Sequence, residues 1–371
     1  MGYGVLALYQ LERCMIRTFP AVLFTATLAL SHSSPGQEAD VSTSATNSPA
    51  ARKDASKEEK FDSEKRLAAL RVQLFLDREG FGPGKIDGRW GGFSRKAAER
   101  WNAAGRQPGI SISPEGDLAP REAGKLPFQG DLITRYTVTE SDQAMLGELP
   151  DSPEAMAKQE SLPYADLLEC VSEKFHADPD FIREINGMDE STTIAVGSTL
   201  KVPNVAEPFD LSEPMKLAKE ASAEENEDKD SPETEEKNGE LTVLRDERVV
   251  ELRENGELTH SFPISPGAND NRSPAGQWKV STISWMPEFR WDKSMLEDGK
   301  RSDNAFLLPP GPNNPVGIVW IGISADGIGL HGTPNPDAIG RNRSHGCIRL
   351  ANWDALKMAQ AVAPGTKVVI K

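Results

Sequence analysis

Between Lys219 and Glu240 the chain carries ten acidic side chains and three lysines, a local net charge of −7. Nearly half of the whole chain's −15 is gathered there. A block of this kind repels itself and offers no apolar face to bury, so it stays extended. The expectation is a disordered acidic linker over residues 205–240. Residues 241–371, which follow it, form a separate C-terminal unit in this reading. The 371 residues leave room for two or three folded units in all. The negative balance argues against general nucleic-acid affinity. A hydrophobic content of only 37% leaves long stretches outside any core.

The C-terminal unit holds the run His331-Gly332-Thr333-Pro334-Asn335-Pro336-Asp337-Ala338-Ile339-Gly340-Arg341-Asn342-Arg343-Ser344-His345-Gly346-Cys347-Ile348-Arg349. It contains two of the five histidines and one of the three cysteines. Its Gly, Pro and Asn content reads as a loop between strands, where catalytic groups tend to be carried. The thiolate is the reactive form of cysteine, and neighbouring positive charge and a histidine favour it. Arg341, Arg343 and Arg349 surround Cys347, and His331 folds back as the base. The amides of His345, Gly346 and Cys347 are candidate oxyanion donors, with Gly346 leaving the backbone open to a carbonyl. Two plainer readings compete. Cys347 is a buried small hydrophobe, or it joins His331 and His345 at a metal. The His345-x-Cys347 spacing is tight for zinc, and the sequence has no CxxC or HExxH partner. The expectation is therefore no metal and no cofactor.

His331-Gly332-Thr333 followed by Ser344-His345-Gly346-Cys347-Ile348-Arg349 resembles the signature of the L,D-transpeptidase (YkuD-like) catalytic domain family. Ser265-Pro266-Gly267 and Ser273-Pro274-Ala275-Gly276 resemble that family's second landmark. The resemblance implies Cys347 as nucleophile, His331 as proton acceptor and donor, and Ser344, His345 and Gly346 as supporting groups. It implies peptidoglycan stem peptides as substrate, with Arg341, Arg343 and Arg349 pairing their carboxylates. The implied reaction is transfer of an acyl group through a cysteine thioester to give a 3–3 cross-link. Hydrolysis of the same thioester, an L,D-carboxypeptidase, is the nearest alternative, and a non-catalytic wall-binding protein is a second. The implied fold is mainly β and sandwich-like. Strand patterns at Leu241–Leu244, Val249–Arg253, Ser261–Ile264, Gly276–Ile283, Gly317–Ile323, Gly329–Leu330 and Lys367–Ile370 accord with it, as does one helix near Trp353–Ala363. Residues 284–315, rich in proline and aromatics, correspond to that family's flap, where the aromatics either grip substrate or fill core.

Arg13 and Arg17 precede a twelve-residue apolar run, Phe19–Leu30, too short to span a bilayer comfortably. With the small-residue end Ala29-Leu30-Ser31 it reads as a secretory signal over 1–33, the alternative being an uncleaved anchor. Met15 is an alternative start. A secreted or periplasmic, wall-associated protein is expected. Residues 34–62, rich in Ser, Ala, Lys and Glu, read as a disordered tether.

Over residues 63–107, Leu67, Leu70, Leu74 and Phe75 recur at helical spacing, and Ser94 is a candidate cap for a second helix. The turn from Gly80 to Gly91 between them resembles the small α-helical peptidoglycan-binding domain. Residues 134–204 read as strand, two helices and strand, and resemble an α+β LysM-like module, apart from a longer segment between Tyr136 and Tyr164. Glycan strands are the partner that both resemblances imply. Cys170 and His176 have no further ligands nearby and are expected to be core.

Overall fold

The structure is a computed structural model that describes residues 49–224, 239–267, 274–298, 300–341 and 347–371. The expected signal, the first part of the tether, most of the acidic block, and Arg343, Ser344, His345 and Gly346 lie outside these residues.

Helix α1, Pro49–Arg78, begins well upstream of the expected boundary, so residues 49–62 are helical rather than tether. Their Ala, Lys and Glu are good helix formers, and a helix anchored by packing at one end extends cheaply from it. Leu70, Leu74 and Phe75 face the core, whereas Leu67 is 54% exposed. Helix α2, Gly92–Ala103, is capped at Gly91 and not at Ser94. Ser94 is buried, and its hydroxyl accepts a hydrogen bond from Gln73 Nε2 at 3.1 Å. Trp101 meets the rings of Phe75 and Phe81 edge-on at 5.0 and 5.3 Å. Ile110, Ala123 and Leu126 complete the same core, which carries the unit beyond residue 107.

The middle unit pairs β1 (Ile133–Thr137) with β2 (Thr199–Pro203) antiparallel, Ile133 opposite Pro203. Between them lie α3 (Leu167–Lys174) and α4 (Pro179–Asn186), capped by the carboxylates of Asp166 and Asp178. The long segment before Tyr164 packs onto the C-terminal unit. Leu162 is fully buried there, in a cluster with Phe289, Leu308, Val316, Trp320 and Cys347. Its N–H donates to the Pro310 carbonyl at 2.9 Å, and its carbonyl accepts from Asn313 N–H at 3.1 Å. Leu162→Ala is expected to cost roughly 2–5 kcal/mol, because the cavity opens between two units that cannot both collapse onto it. A urea melt of the full chain followed by tryptophan fluorescence checks this; an unshifted midpoint would show the contact to be dispensable.

The stretch after β2 departs from the expected linker. Phe209 and Leu211 are buried in the main core, and helix α5 spans Ser212–Glu224. Two apolar anchors placed ahead of the densest charge dock this part of the chain.

The C-terminal unit contains strands β3 (Gly239–Leu244), β4 (Val249–Glu254), β5 (Glu257–Pro263), β6 (Gly276–Trp285), β7 (Phe289–Trp291), β8 (Phe306–Leu308), β9 (Val319–Ile323), β10 (Gly329–His331), β11 (Ile348–Arg349) and β12 (Lys367–Ile370). Eight of them form one mixed sheet in the order β11-β10-β9-β6-β12-β3-β4-β5. The sandwich-like expectation is met in a particular form. The two halves are one hydrogen-bonded sheet, curled at β6. The ten-residue β6 pairs with β12 through Gly276–Lys279 and with β9 through Val280–Trp285, with a bulge where the partner changes. A bulge bends and twists the strand that carries it. The two halves thus share a core, in which Leu241, Val250 and Phe262 meet Ile321, Leu330 and Ile348. Helix α6, Asn352–Ala361, closes that core with Ala355, Met358 and Ala359.

The Gly80–Gly91 turn joins all three units. Phe81 bridges in parallel to Ser261 on the edge strand β5, and Ile86 bridges to Ala177 of the middle unit. Lys85 pairs with Asp178 of the middle unit at 2.5 Å and with Asp337 of the C-terminal unit.

Candidate active site

His331 ends β10 and Arg349 ends β11, and the parallel register sets them opposite each other. Trp320 of β9 is opposite His331 on the other side, its indole stacked on the imidazole at 5.5 Å and 24°. A Cβ at Gly329 would lie 2.5 Å from this indole, so glycine there lets the ring lie across the strand. Cys347 immediately precedes β11 and shares a buried cluster with Trp320. It is 5% exposed, and its thiol donates toward the Gly327 carbonyl at 3.9 Å. The structure thus brings the predicted His331 and Cys347 to adjacent strands at one edge of the sheet, where Trp320 stacks on the imidazole and shares a buried cluster with Cys347.

The imidazole of His331 is 1% exposed. Its Nδ1 bonds the Gly332 carbonyl at 2.6 Å; a carbonyl only accepts, so Nδ1 carries the proton. Nε2 is then the bare lone pair, buried without a hydrogen-bond partner among the described residues. Burial, and next the positive charge of Arg349, push the pKa down to about 3 against the opposing pull of the Gly332 carbonyl. The ring is neutral near pH 7 and presents an acceptor at Nε2.

The His331–Cys347 loop is pinned from several sides. Ser265 exchanges both backbone hydrogen bonds with Arg349 at 3.0 Å. Its hydroxyl donates to the Ala338 carbonyl at 3.0 Å and accepts from Gly340 N–H at 2.9 Å. Arg248 also donates to the Gly340 carbonyl. At the start of the loop, Gly332 and Gly317 pack directly on Asn352. A Cβ on either would come within 2.1 Å of Asn352 Oδ1, and Gly317 holds φ 63°.

Of the arginines singled out in the sequence, Arg349 is buried behind His331 and Arg341 is exposed. Arg343, Ser344, His345 and Gly346 fall outside the described residues. Sequence reasoning missed Trp320, Asn352 and Gly317 as site-builders, since Trp and Asn at isolated strand and helix positions give no local pattern. It had named the Ser265-Pro266-Gly267 landmark without a role; the clamp on Ala338 and Gly340 supplies one. The flap aromatics divide. Phe289 is fully buried, while Trp291 and Phe306 pack half-buried on the same cluster as Cys347. Among the described residues, no group of three or more His, Cys, Asp or Glu side chains is placed to hold a metal ion.

Comparison with known proteins centres on this unit. The family model for the L,D-transpeptidase catalytic domain (YkuD) matches residues 239–370. The putative L,D-transpeptidase YkuD of Bacillus subtilis is 44% identical over 123 residues, covering 33% of this chain and 60% of the relative. The Bacillus licheniformis protein of the same name is 29% identical over 130 residues, covering 35% of this chain and 64% of the relative. The chain thus spans somewhat less than two thirds of the curated relatives it matches. L,D-transpeptidase 3 of Mycobacterium tuberculosis overlays 36% of this chain and 61% of its own at 20% identity and a TM-score of 0.30, too slight an overlap to bear on the fold. By its sequence, the unit at residues 239–370 is similar to the L,D-transpeptidase (YkuD) catalytic domain.

Proposed function

We propose that the chain is a cysteine-dependent L,D-transpeptidase that joins peptidoglycan stem peptides by 3–3 cross-links, and that it works outside the cytoplasm at the wall. The observation that carries this reading is the state of His331: Nδ1–H is committed to Gly332, and the buried Nε2 lone pair lies at the sheet edge that also bears Cys347. In the first half-reaction Nε2 takes the thiol proton. Cys347 Sγ attacks the carbonyl on the L-centre side of the bond to the terminal D-Ala. The C–N bond breaks, the departing amine leaves with the proton from Nε2, and a thioester remains. In the second half-reaction an acceptor amine attacks the thioester carbonyl and gives its proton to Nε2. The C–S bond breaks, and the proton returns to sulfur. The amides near Gly346, with Ser344 and His345, hold the oxyanion in both halves. Arg341 and Arg343 receive stem carboxylates, and burial, reinforced by the charge of Arg349 opposite His331, keeps the ring neutral. The two upstream units are proposed to hold glycan strands.

The test is intact-mass spectrometry of the full chain with a carbapenem, then with purified tetrapeptide stems. A covalent adduct on Cys347, and a cross-linked dimer formed with loss of D-Ala, are expected. An adduct with tripeptide as the sole peptide product would replace transfer by hydrolysis. No adduct in folded, reduced protein would overturn the thiol mechanism.

A further inference from the structure

The middle unit reaches the back of His331 through one line of hydrogen bonds and packing. Glu173 is on α3, 8% exposed. Its Oε2 accepts from the Tyr164 hydroxyl at 2.5 Å, and its Oε1 accepts from Asn352 Nδ2 at 2.9 Å. Asn352 opens α6 in the C-terminal unit and is fully buried. Nδ2 also donates to the Pro312 carbonyl at 3.3 Å, so both amide protons are used. Oδ1, with no hydrogen-bond partner among the described residues, lies against the Gly332 and Gly317 backbones. The Gly332 carbonyl is the group that fixes the proton on His331 Nδ1.

The orientation of the Asn352 amide decides what touches Gly332. Its oxygen and its nitrogen are nearly the same size, and hydrogen bonding alone tells them apart. A carboxylate only accepts, so Glu173 draws the nitrogen to its own side and leaves the oxygen against Gly332. Placing a carboxyl there is costly. Burial, reinforced by Glu169 and opposed by the bonds from Tyr164 and Asn352, raises its pKa to about 7. An apolar residue would fill the same junction without that cost.

We propose that Glu173 is a positioning residue for the reaction above. Through Asn352 it fixes the Gly332 peptide, and with it the tautomer and aim of His331, so that the middle unit is part of the catalytic apparatus. This rests on the thiol–imidazole reading, and the experiment separates the two. Steady-state release of D-Ala from tetrapeptide stems is measured for full-length wild type, Glu173→Gln, Asn352→Asp and the double variant. Gln keeps an acceptor for Asn352 and is expected to hold kcat within about threefold of wild type. Asn352→Asp sets two acceptors face to face. Its kcat should fall by about 10²-fold with KM nearly unchanged, the scale of a small misplacement of a catalytic group. The double variant restores one donor and one acceptor with the bond reversed, and should recover to within about tenfold of wild type. A folded double variant as slow as Asn352→Asp, or a loss that appears in KM alone, would overturn the proposal. Should Asn352→Asp fail to fold, the Gln and double variants decide by the same limits. Wild type with no release at all would instead sink the transpeptidase reading.

Discussion

Cys347→Ser should lower the rate of D-Ala release from tetrapeptide stems by roughly 10³-fold or more, the scale seen when a nucleophile is removed from an otherwise intact site. The serine hydroxyl is nearly isosteric with the thiol but stays protonated across the physiological range, and the neutral imidazole beside it is a weak base. The fold should not notice the change, because Cys347 contributes a small side chain to a cluster held mainly by Leu162, Phe289, Leu308 and Trp320. Matched thermal melts with a collapsed rate support the assignment. A serine variant within tenfold of wild type would mean that the bond-breaking group lies elsewhere.

His331→Gln should cost about 10²–10⁴-fold in kcat, the usual contribution of a positioned acid–base group. Its pH behaviour gives a second, independent reading. Burial pushes the imidazole pKa down to about 3 in the folded chain, from an ordinary value of 6.5. Between these values the unfolded chain binds the extra proton and the folded one does not. Stability from this group is complete above pH 6.5 and is lost as pH falls toward 3. For activity, the free enzyme keeps Nε2 unprotonated throughout the mildly acidic range, so kcat/KM should show no acid limb from His331 between pH 5 and 7. A limb near 6.5 that disappears in His331→Gln would show the ring to be solvated in the working enzyme, contrary to its burial under Trp320.

Those two residues stand out in the sequence because they flank one short loop with a dense, unusual composition. The strands were readable for a related reason: alternation over four to eight residues survives in a sheet with one curled core. The curl itself was not, because it depends on β6 changing partners midway, and a partner change leaves no mark on hydropathy. Ser94 was misread as a cap because a buried serine bonded to Gln73 has the same local sequence as an exposed one. The docking of Phe209 and Leu211 was hidden by the acidic run that follows them, which pulled the whole segment into one averaged reading. Asn352 and Glu173 stood no chance of being paired, since 178 residues lie between them and neither belongs to a motif.

The bridge from Phe81 to Ser261 also bears on how such a chain comes into being. The first unit donates its turn to a strand synthesised some 180 residues later, and Leu162 waits nearly as long for Pro310 and Asn313. Contacts so distant in sequence are slow to form, and the joins between units follow the formation of each unit's own core. Until β5 and the 310–313 segment arrive, Phe81 has its ring contact with Trp101 but not its strand partner Ser261, and Leu162 lacks Pro310 and Asn313. The joins between the units are therefore expected to be the last parts of the fold to form.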